Sequence, residues 1–95
     1  MATKKKLPYV VVRTYSAGVH VGELVSQKGP EVVLRNTRRI WFWKGARTLS
    51  EMAVSGIGDG SKVSVVVSEN RLTGAIETLA TTRAAEANLR SGSWA

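Results

Sequence analysis

The first third of the chain contains three runs of strand-forming residues that are separated by short turns. The runs cover residues 9–15, 19–25 and 31–35, with Gly18 in the first turn and Gly29-Pro30 in the second. β-Branched and aromatic side chains dominate them, and successive side chains of a strand point to opposite sides. Short connections join strands in antiparallel order. The pattern therefore predicts an antiparallel meander.

Gly22 lies in the middle of the second run. A glycine inside a strand weakens the strand unless it marks a bulge or a sharp bend. A bent central strand allows a meander to curl into a small barrel. The segment Gly22-Glu23-Leu24 also resembles the bent second strand of SH3-like and Sm-like barrels, some of which form rings that bind RNA at subunit boundaries.

The rest of the chain predicts three more strands and two short helices. Thr48 and Glu51 have the spacing of a capping box, which predicts a helix that ends at Gly56. A second helix is expected over residues 83–90, after a capping threonine. The other expected elements are a break or bend at residues 36–39, strands at residues 40–44, 62–68 and 74–80, and a turn or irregular link at residues 69–71.

These elements predict an α+β fold, either a small bent antiparallel sheet or an SH3/Sm-like barrel, with two short helices. A chain of 95 residues is the size of one domain. We assign residues 9–95 to a single compact domain and residues 1–8 to a basic disordered arm. The core is expected to contain Val10, Val12, Val21, Val33, Val65 and either Ile40 or Phe42.

The charge balance is the most informative part of the composition. Fourteen Lys and Arg residues against seven Asp and Glu residues give a net charge of +7. This excess favours anionic partners such as nucleotides, nucleic acid or acidic protein.

The chain has no cysteine, which excludes a disulfide framework and a thiolate metal site. No apolar run approaches the ~20 residues of a membrane span, and the basic start lacks a signal peptide's apolar block.

Catalysis is not expected from this sequence. His20 is the only histidine, which excludes a zinc site with several histidine ligands. The acidic residues are scattered and do not form the closely spaced set that metal or acid–base chemistry uses. No nucleophile-elbow pattern is present. We therefore expect a protein that is not an enzyme and has no cofactor, with His20 facing solvent or a subunit boundary.

Residues 36–47 combine aromatic rings with cations and contain no acid. Arginine binds phosphate through two hydrogen bonds and stacks on rings, so this composition suits a ligand with phosphates and rings. Strand alternation predicts that Trp41 and Trp43 share a face with Arg39. Core packing of the tryptophans and a solvated basic face are the alternatives. The candidate ligand-binding residues are Arg35, Arg38, Arg39, Trp41, Trp43, Lys44 and Arg47.

Two segments, residues 9–24 and 38–53, resemble a family of small bacteriophage-encoded proteins that is largely described as a domain of unknown function. The first reads YVVVRTYSAGVHVGEL and the second RRIWFWKGARTLSEMA. The resemblance extends from about residue 9 to the C-terminus. It implies a phage protein that acts in the host bacterial cytoplasm or is carried in the virion, and it transfers no catalytic residue.

The expected function is non-enzymatic binding of nucleotide-type anions through the basic and aromatic surface. For a phage protein, the ligand is a cyclic-nucleotide immune signal, bound as an anti-defence measure, or nucleic acid. The alternative is a virion structural or assembly protein.

The apolar face of the last helix is thin and Trp94 lies close to the end of the chain. We therefore expect a homo-oligomer with contacts through residues 83–95.

Overall fold

The computed structural model of the chain describes residues 7–15, 18–58 and 61–91. Most of the predicted basic arm and Trp94 lie outside these residues. In chain order the elements are β1 (Tyr9–Thr14), β2 (Val19–Lys28), β3 (Glu31–Phe42), α1 (Leu49–Ser55), β4 (Lys62–Val63), β5 (Val67–Leu72), β6 (Ala75–Ala80) and α2 (Arg83–Ser91). Every strand pair in this part of the chain is antiparallel. The α+β prediction, with an antiparallel sheet and two short helices, is confirmed.

The sheet has the strand order β4-β3-β2-β1-β6, and β5 joins it by pairing with β3. Strand β3 is 12 residues long. One edge of β3 pairs with β2, while β4 and β5 share its other edge. Strands β5 and β6 are consecutive in the chain but do not pair over the described residues. The sheet is therefore open and does not close into a barrel.

The predicted break or bend at residues 36–39 is a bulge inside a continuous strand, so the chain does not break there. Val21 pairs with Arg38 but Glu23 pairs with Arg35, so Gly22 faces two residues of β3. Asn36 takes a positive φ of 50° and absorbs the extra residue. A Cβ on Gly22 would lie 2.8 Å from the Cβ of Thr37. The glycine therefore permits a close approach of β2 and β3 at the bulge.

The expected strand at residues 62–68 is divided into β4 and β5. Thr37 of β3 pairs with Val67, and Ile40 pairs with Val63. The two β3 residues are three positions apart, whereas their partners are four positions apart. The additional residue interrupts the ladder and leaves residues 64–66 outside any strand. Pairing then resumes with β3, so the predicted link at residues 69–71 is part of β5.

Two apolar clusters fill the two sides of the sheet, which we call the helix face and the opposite face. On the helix face, residues of α1 and α2 pack with residues of the strands in one cluster, which contains Tyr9, Val11, Val19, Val21, Ile40, Met52, Ala53, Ile57, Val63 and Leu89. The cluster on the opposite face contains Val10, Val12, Val32, Leu34 and Leu72.

The core predictions are mostly confirmed. Val10, Val12, Val21 and Ile40 are buried, whereas Val33 is half-buried. Phe42 is exposed, so Ile40 is the core residue of that pair. The prediction for Val65 is wrong, because this residue lies in the irregular segment between β4 and β5 and is 71% exposed.

Local signals place both helices correctly. The Thr48 hydroxyl accepts a hydrogen bond from the Glu51 amide at 3.2 Å, as a helix cap does. Helix α2 buries Ala85 and Leu89 against the same chain, which gives its thin apolar face an intramolecular docking site. None of the helices in the described residues is long and apolar enough to span a membrane.

The C-terminal turn of α2 is held by charged groups. Arg90 binds Glu86 at 2.7 Å and Glu23 at 3.0 Å, and its guanidinium lies 4.5 Å from the centre of the Tyr9 ring. Arg38 donates hydrogen bonds to the carbonyl oxygens of Leu89 and Arg90 at 3.2 and 3.3 Å. Cations at the C-terminus of a helix satisfy its last carbonyl groups.

Tyr9 is expected to make stability depend on pH above neutrality. Burial raises the pKa of Tyr9 from 10.0 to about 12, although Arg90 and Arg38 lower it in part. Because the folded-state pKa lies above the unfolded one, this stabilisation is complete below pH 10 and is lost between about pH 10 and 12. The two-unit difference corresponds to about 2–3 kcal/mol.

Urea unfolding at pH 8 and pH 11 checks this expectation. The Tyr9→Phe variant should lose less unfolding free energy between the two pH values than the wild-type protein, since it lacks the titrating phenol. Equal losses in the two proteins would contradict the assignment.

Candidate functional site

The seven candidate residues do not form one surface. Along β3, Arg39 lies on the opposite face with its partner His20, whereas Ile40 is buried on the helix face. The register shifts between Ile40 and Phe42, and β3 ends there. Trp43 then packs against the helix-face cluster. The prediction that Trp43 shares a face with Arg39 is therefore wrong, because strand alternation is interrupted between Ile40 and Phe42.

The helix face carries a groove of about 430 Å³, which we call the helix-face groove. Its lining residues include Arg13, Val19, Trp43, Arg47, Ser50 and Glu77. Clefts of about 300–1,000 Å³ with a few polar groups are typical of small-molecule sites. Of the candidate residues, Trp43 and Arg47 lie in this groove.

Strand pairing and the start of α1 position the cations of the helix-face groove. Arg13 of β1 pairs with Val19 of β2 on one side and with Glu77 of β6 on the other. Arg47 directly precedes the cap of α1, and its backbone N–H donates to the Glu51 carboxylate at 3.0 Å. The Arg13 and Arg47 guanidinium groups make no ion pair within residues 7–15, 18–58 and 61–91.

Arg13 was not among the candidate residues, although its position in the strand pattern is informative. It shares a strand face with Tyr9 and Val11, which belong to the helix-face core. A cation on an otherwise apolar strand face lies at the rim of the core or pairs with an acid. Only the contact with β6 and the loop before α1 reveals that this rim is a groove.

A second depression lies on the opposite face, and we call it the opposite-face cavity. It has a volume of about 260 Å³ and is lined by His20, Thr37, Arg38, Arg39, Ser64, Val67 and Asn70. His20 is 1% exposed, so the prediction that it faces solvent is wrong. The reason is that β2 lies between β1 and β3, and His20 pairs with Val12 on one side and with Arg39 on the other.

Arg38 is engaged by the protein itself. The side chain is buried, and its Nε donates to the Ser64 carbonyl oxygen at 3.0 Å. Its Nη1 donates to the two carbonyl oxygens at the end of α2. Because these contacts occupy the guanidinium, we leave Arg38 out of the ligand-binding residues that we propose below.

The two remaining candidates lie apart from both depressions. Arg35 is exposed and pairs with Glu23 of β2 and Glu69 of β5 in the sheet. Lys44 is exposed beyond the end of β3, where its backbone N–H donates to the Ser61 hydroxyl at 2.9 Å. Neither side chain lines the helix-face groove or the opposite-face cavity.

Within the described part of the chain, no group of three or more His, Asp or Glu side chains is placed to hold a metal ion. Comparison with curated proteins and with solved structures gives no match. One protein family matches residues 7–89, which include all six strands, both depressions and most of α2. The chain therefore belongs to the family described as Domain of unknown function (DUF6948).

Proposed function

We propose that the protein binds a nucleotide-type anion in the helix-face groove. The observation that carries this proposal is the placement of two unpaired guanidinium groups, Arg13 and Arg47, around the half-buried Trp43 ring. The net charge of +7 attracts such anions over a longer range. The groove is also large enough for a nucleotide.

Each group in the groove has a role in this proposal. Arg13 and Arg47 hold phosphate oxygens, since a guanidinium makes paired hydrogen bonds with phosphate. Trp43 offers a ring face to the base while its other side packs on the core. Glu77, the partner of Arg13 in β6, is an acceptor for a sugar hydroxyl or a base N–H.

The ligand in this proposal is either a cyclic-nucleotide signal or nucleic acid. The salt dependence of the binding affinity distinguishes the two. Each phosphate contact to a polynucleotide releases counterions and contributes roughly 0.7–0.9 to the log–log salt slope. A small cyclic nucleotide releases few counterions. The resemblance to phage proteins supports a role in the host bacterial cytoplasm, with sequestration of an immune signal as one form of that role.

The test is a titration of the purified protein with short RNA, short DNA and a panel of cyclic nucleotides at low and physiological salt. Tryptophan fluorescence reports binding, and a Trp41→Phe background simplifies the signal from Trp43. The Arg13→Glu and Arg47→Glu variants are each expected to weaken binding about tenfold or more. Arg71→Glu is the matched control, because Arg71 is an exposed cation that lies outside the groove.

Two results would contradict the proposal. One is the absence of binding by any of these ligands at low salt. The other is equal binding by the wild-type protein and both groove variants.

Exposed apolar side chains of β3 and of the segment after β4, which we call the apolar strip, support a second candidate, a virion structural or assembly protein. Trp41 is 65% exposed, and Val65 and Val66 in the adjoining segment are also exposed. Large exposed apolar patches mark contact surfaces for proteins. The strip offers a contact for a neighbouring subunit that is independent of the expected contact through residues 83–95. Mass spectrometry of purified virions and light scattering at high micromolar concentration test this candidate.

A further inference from the structure

The opposite-face cavity contains two polar side chains that the fold does not use. The Asn70 amide is half-buried and makes no hydrogen bond with any described residue. The Arg39 guanidinium makes no ion pair there either. A partly exposed amide without a partner in the protein is available to hydrogen-bond a ligand or water.

The other polar groups of the cavity have partners in the protein. The Thr37 hydroxyl donates to the Val21 carbonyl oxygen at 2.8 Å. The Ser64 hydroxyl accepts from the Arg39 backbone N–H at 2.8 Å and donates to the Val65 carbonyl oxygen at 3.0 Å. Arg38 and His20 also interact within the protein. Recognition in the cavity is therefore left to Asn70 and the Arg39 side chain.

The size and chemistry of the cavity select a small planar ligand. Its volume of about 260 Å³ is smaller than a typical drug-sized pocket, so it accommodates a single ring system. An amide presents a donor and an acceptor in one plane, which matches the edge of a nucleobase. Val67 provides an apolar wall. A bare phosphate would use Arg39 but would leave the Asn70 carbonyl oxygen without a donor.

Trp41 extends this surface along β3. It lies two residues from Arg39, which is a separation of about 7 Å along a strand. Its largely exposed ring is available for stacking by a neighbouring base. The sequence from residue 32 to residue 50 contains no acid that would repel a phosphate backbone beside it.

From these placements we propose that the opposite-face cavity binds a nucleobase of single-stranded nucleic acid, with Asn70 on the base edge, Arg39 on the adjacent phosphate and Trp41 stacked on the next base. This inference rests on the proposed function for its ligand class and uses different residues. It makes a single strand, and not a free cyclic nucleotide, the preferred ligand.

The experiment measures fluorescence anisotropy of labelled homo-oligonucleotides of about eight nucleotides, one for each base, with the wild-type protein and single variants. Wild-type affinities should differ by about fivefold or more between the best and worst base. Asn70→Ala should remove this difference and leave the salt slope unchanged. Ser68→Ala, an exposed polar residue of the same strand, is its matched control and should keep the difference.

Substitutions of Arg39 and Trp41 are expected to change binding in different ways. Arg39→Ala should lower the log–log salt slope by about 0.7, whereas Arg71→Ala, an exposed cation on β5, should leave the slope unchanged. Trp41→Ala should weaken binding of every homo-oligonucleotide about fivefold or more. Circular dichroism of each variant confirms that it is folded.

The outcomes separate the two proposals. Equal affinity for all four bases, or base preference that persists in Asn70→Ala, overturns the inference. Binding that is lost in the Arg13→Glu and Arg47→Glu variants, but is unchanged in the Asn70, Arg39 and Trp41 variants, overturns the inference and leaves the groove proposal in place. The reverse pattern overturns the groove proposal and supports the inference. Oligonucleotide binding that Trp41→Ala does not change also overturns the inference.

Discussion

Gly56→Ala is expected to destabilise the protein by about 3–5 kcal/mol. Gly56 ends α1 with a φ of 81° and a ψ of −158°, a conformation that side chains other than glycine rarely adopt. A Cβ there would also lie 2.7 Å from the Cβ of Asn88. Asn88 would have to move, although its side chain joins α2 to both the N–H and the carbonyl oxygen of Ile57.

Gly18→Ala separates backbone strain from the clash. Gly18 has a similar φ of 86°, but a Cβ at this position meets no atom of the described residues within 4 Å. The control should therefore cost only the strain, about 1–3 kcal/mol. Urea unfolding followed by circular dichroism gives both values. A Gly56→Ala variant that is no less stable than Gly18→Ala would show that the Asn88 contacts contribute little.

Arg38→Ala is expected to cost about 3 kcal/mol, because it leaves three carbonyl groups without their charged donor. These carbonyls belong to Ser64, Leu89 and Arg90, so the variant should loosen α2 most strongly. Hydrogen exchange should report this loss as faster exchange of the α2 amides. The neighbouring Arg39→Ala is a matched control, since the Arg39 side chain is exposed, and should change stability by no more than about 0.5 kcal/mol.

A small effect of Arg38→Ala would show that water replaces the guanidinium at the end of α2. Arg38→Lys gives an intermediate case, because it retains the charge but offers fewer donors in a different geometry. We expect its stability to lie between that of Arg38→Ala and the wild-type protein.

The sequence predicts elements whose cause is local. The capping pair Thr48 and Glu51 and the terminating Gly56 define α1, and the structure places this helix where they indicate. Gly22 marks the bend in β2 for the same reason, since the absence of a side chain is visible in the sequence. These parts of the fold depend on residues within a few positions of each other.

The predictions that proved wrong concern features that depend on pairing between residues far apart in the sequence. Val65 has the composition of a strand residue, yet the one-residue register difference between β4 and β5 places it outside the ladder. Neither Arg13 nor Asn70 could be identified, because the two depressions form only where separate strands meet. Arg38 and Arg39 look equivalent in the sequence, but alternation sends one to the core and the other to the surface.

The position of β1 in the sheet has a consequence for synthesis on the ribosome. Strand β1 lies between β2 and β6 and is synthesised before both of them. The Thr81 hydroxyl after β6 donates to the Tyr9 carbonyl oxygen at 2.6 Å, across 72 positions of the chain. Strand β1 therefore waits for its second neighbour until about residue 80 has emerged. Sheets that depend on such non-local pairing fold slowly and expose unpaired edges in the meantime. We expect nascent chains shorter than this to remain sensitive to protease and to become resistant once β6 has paired.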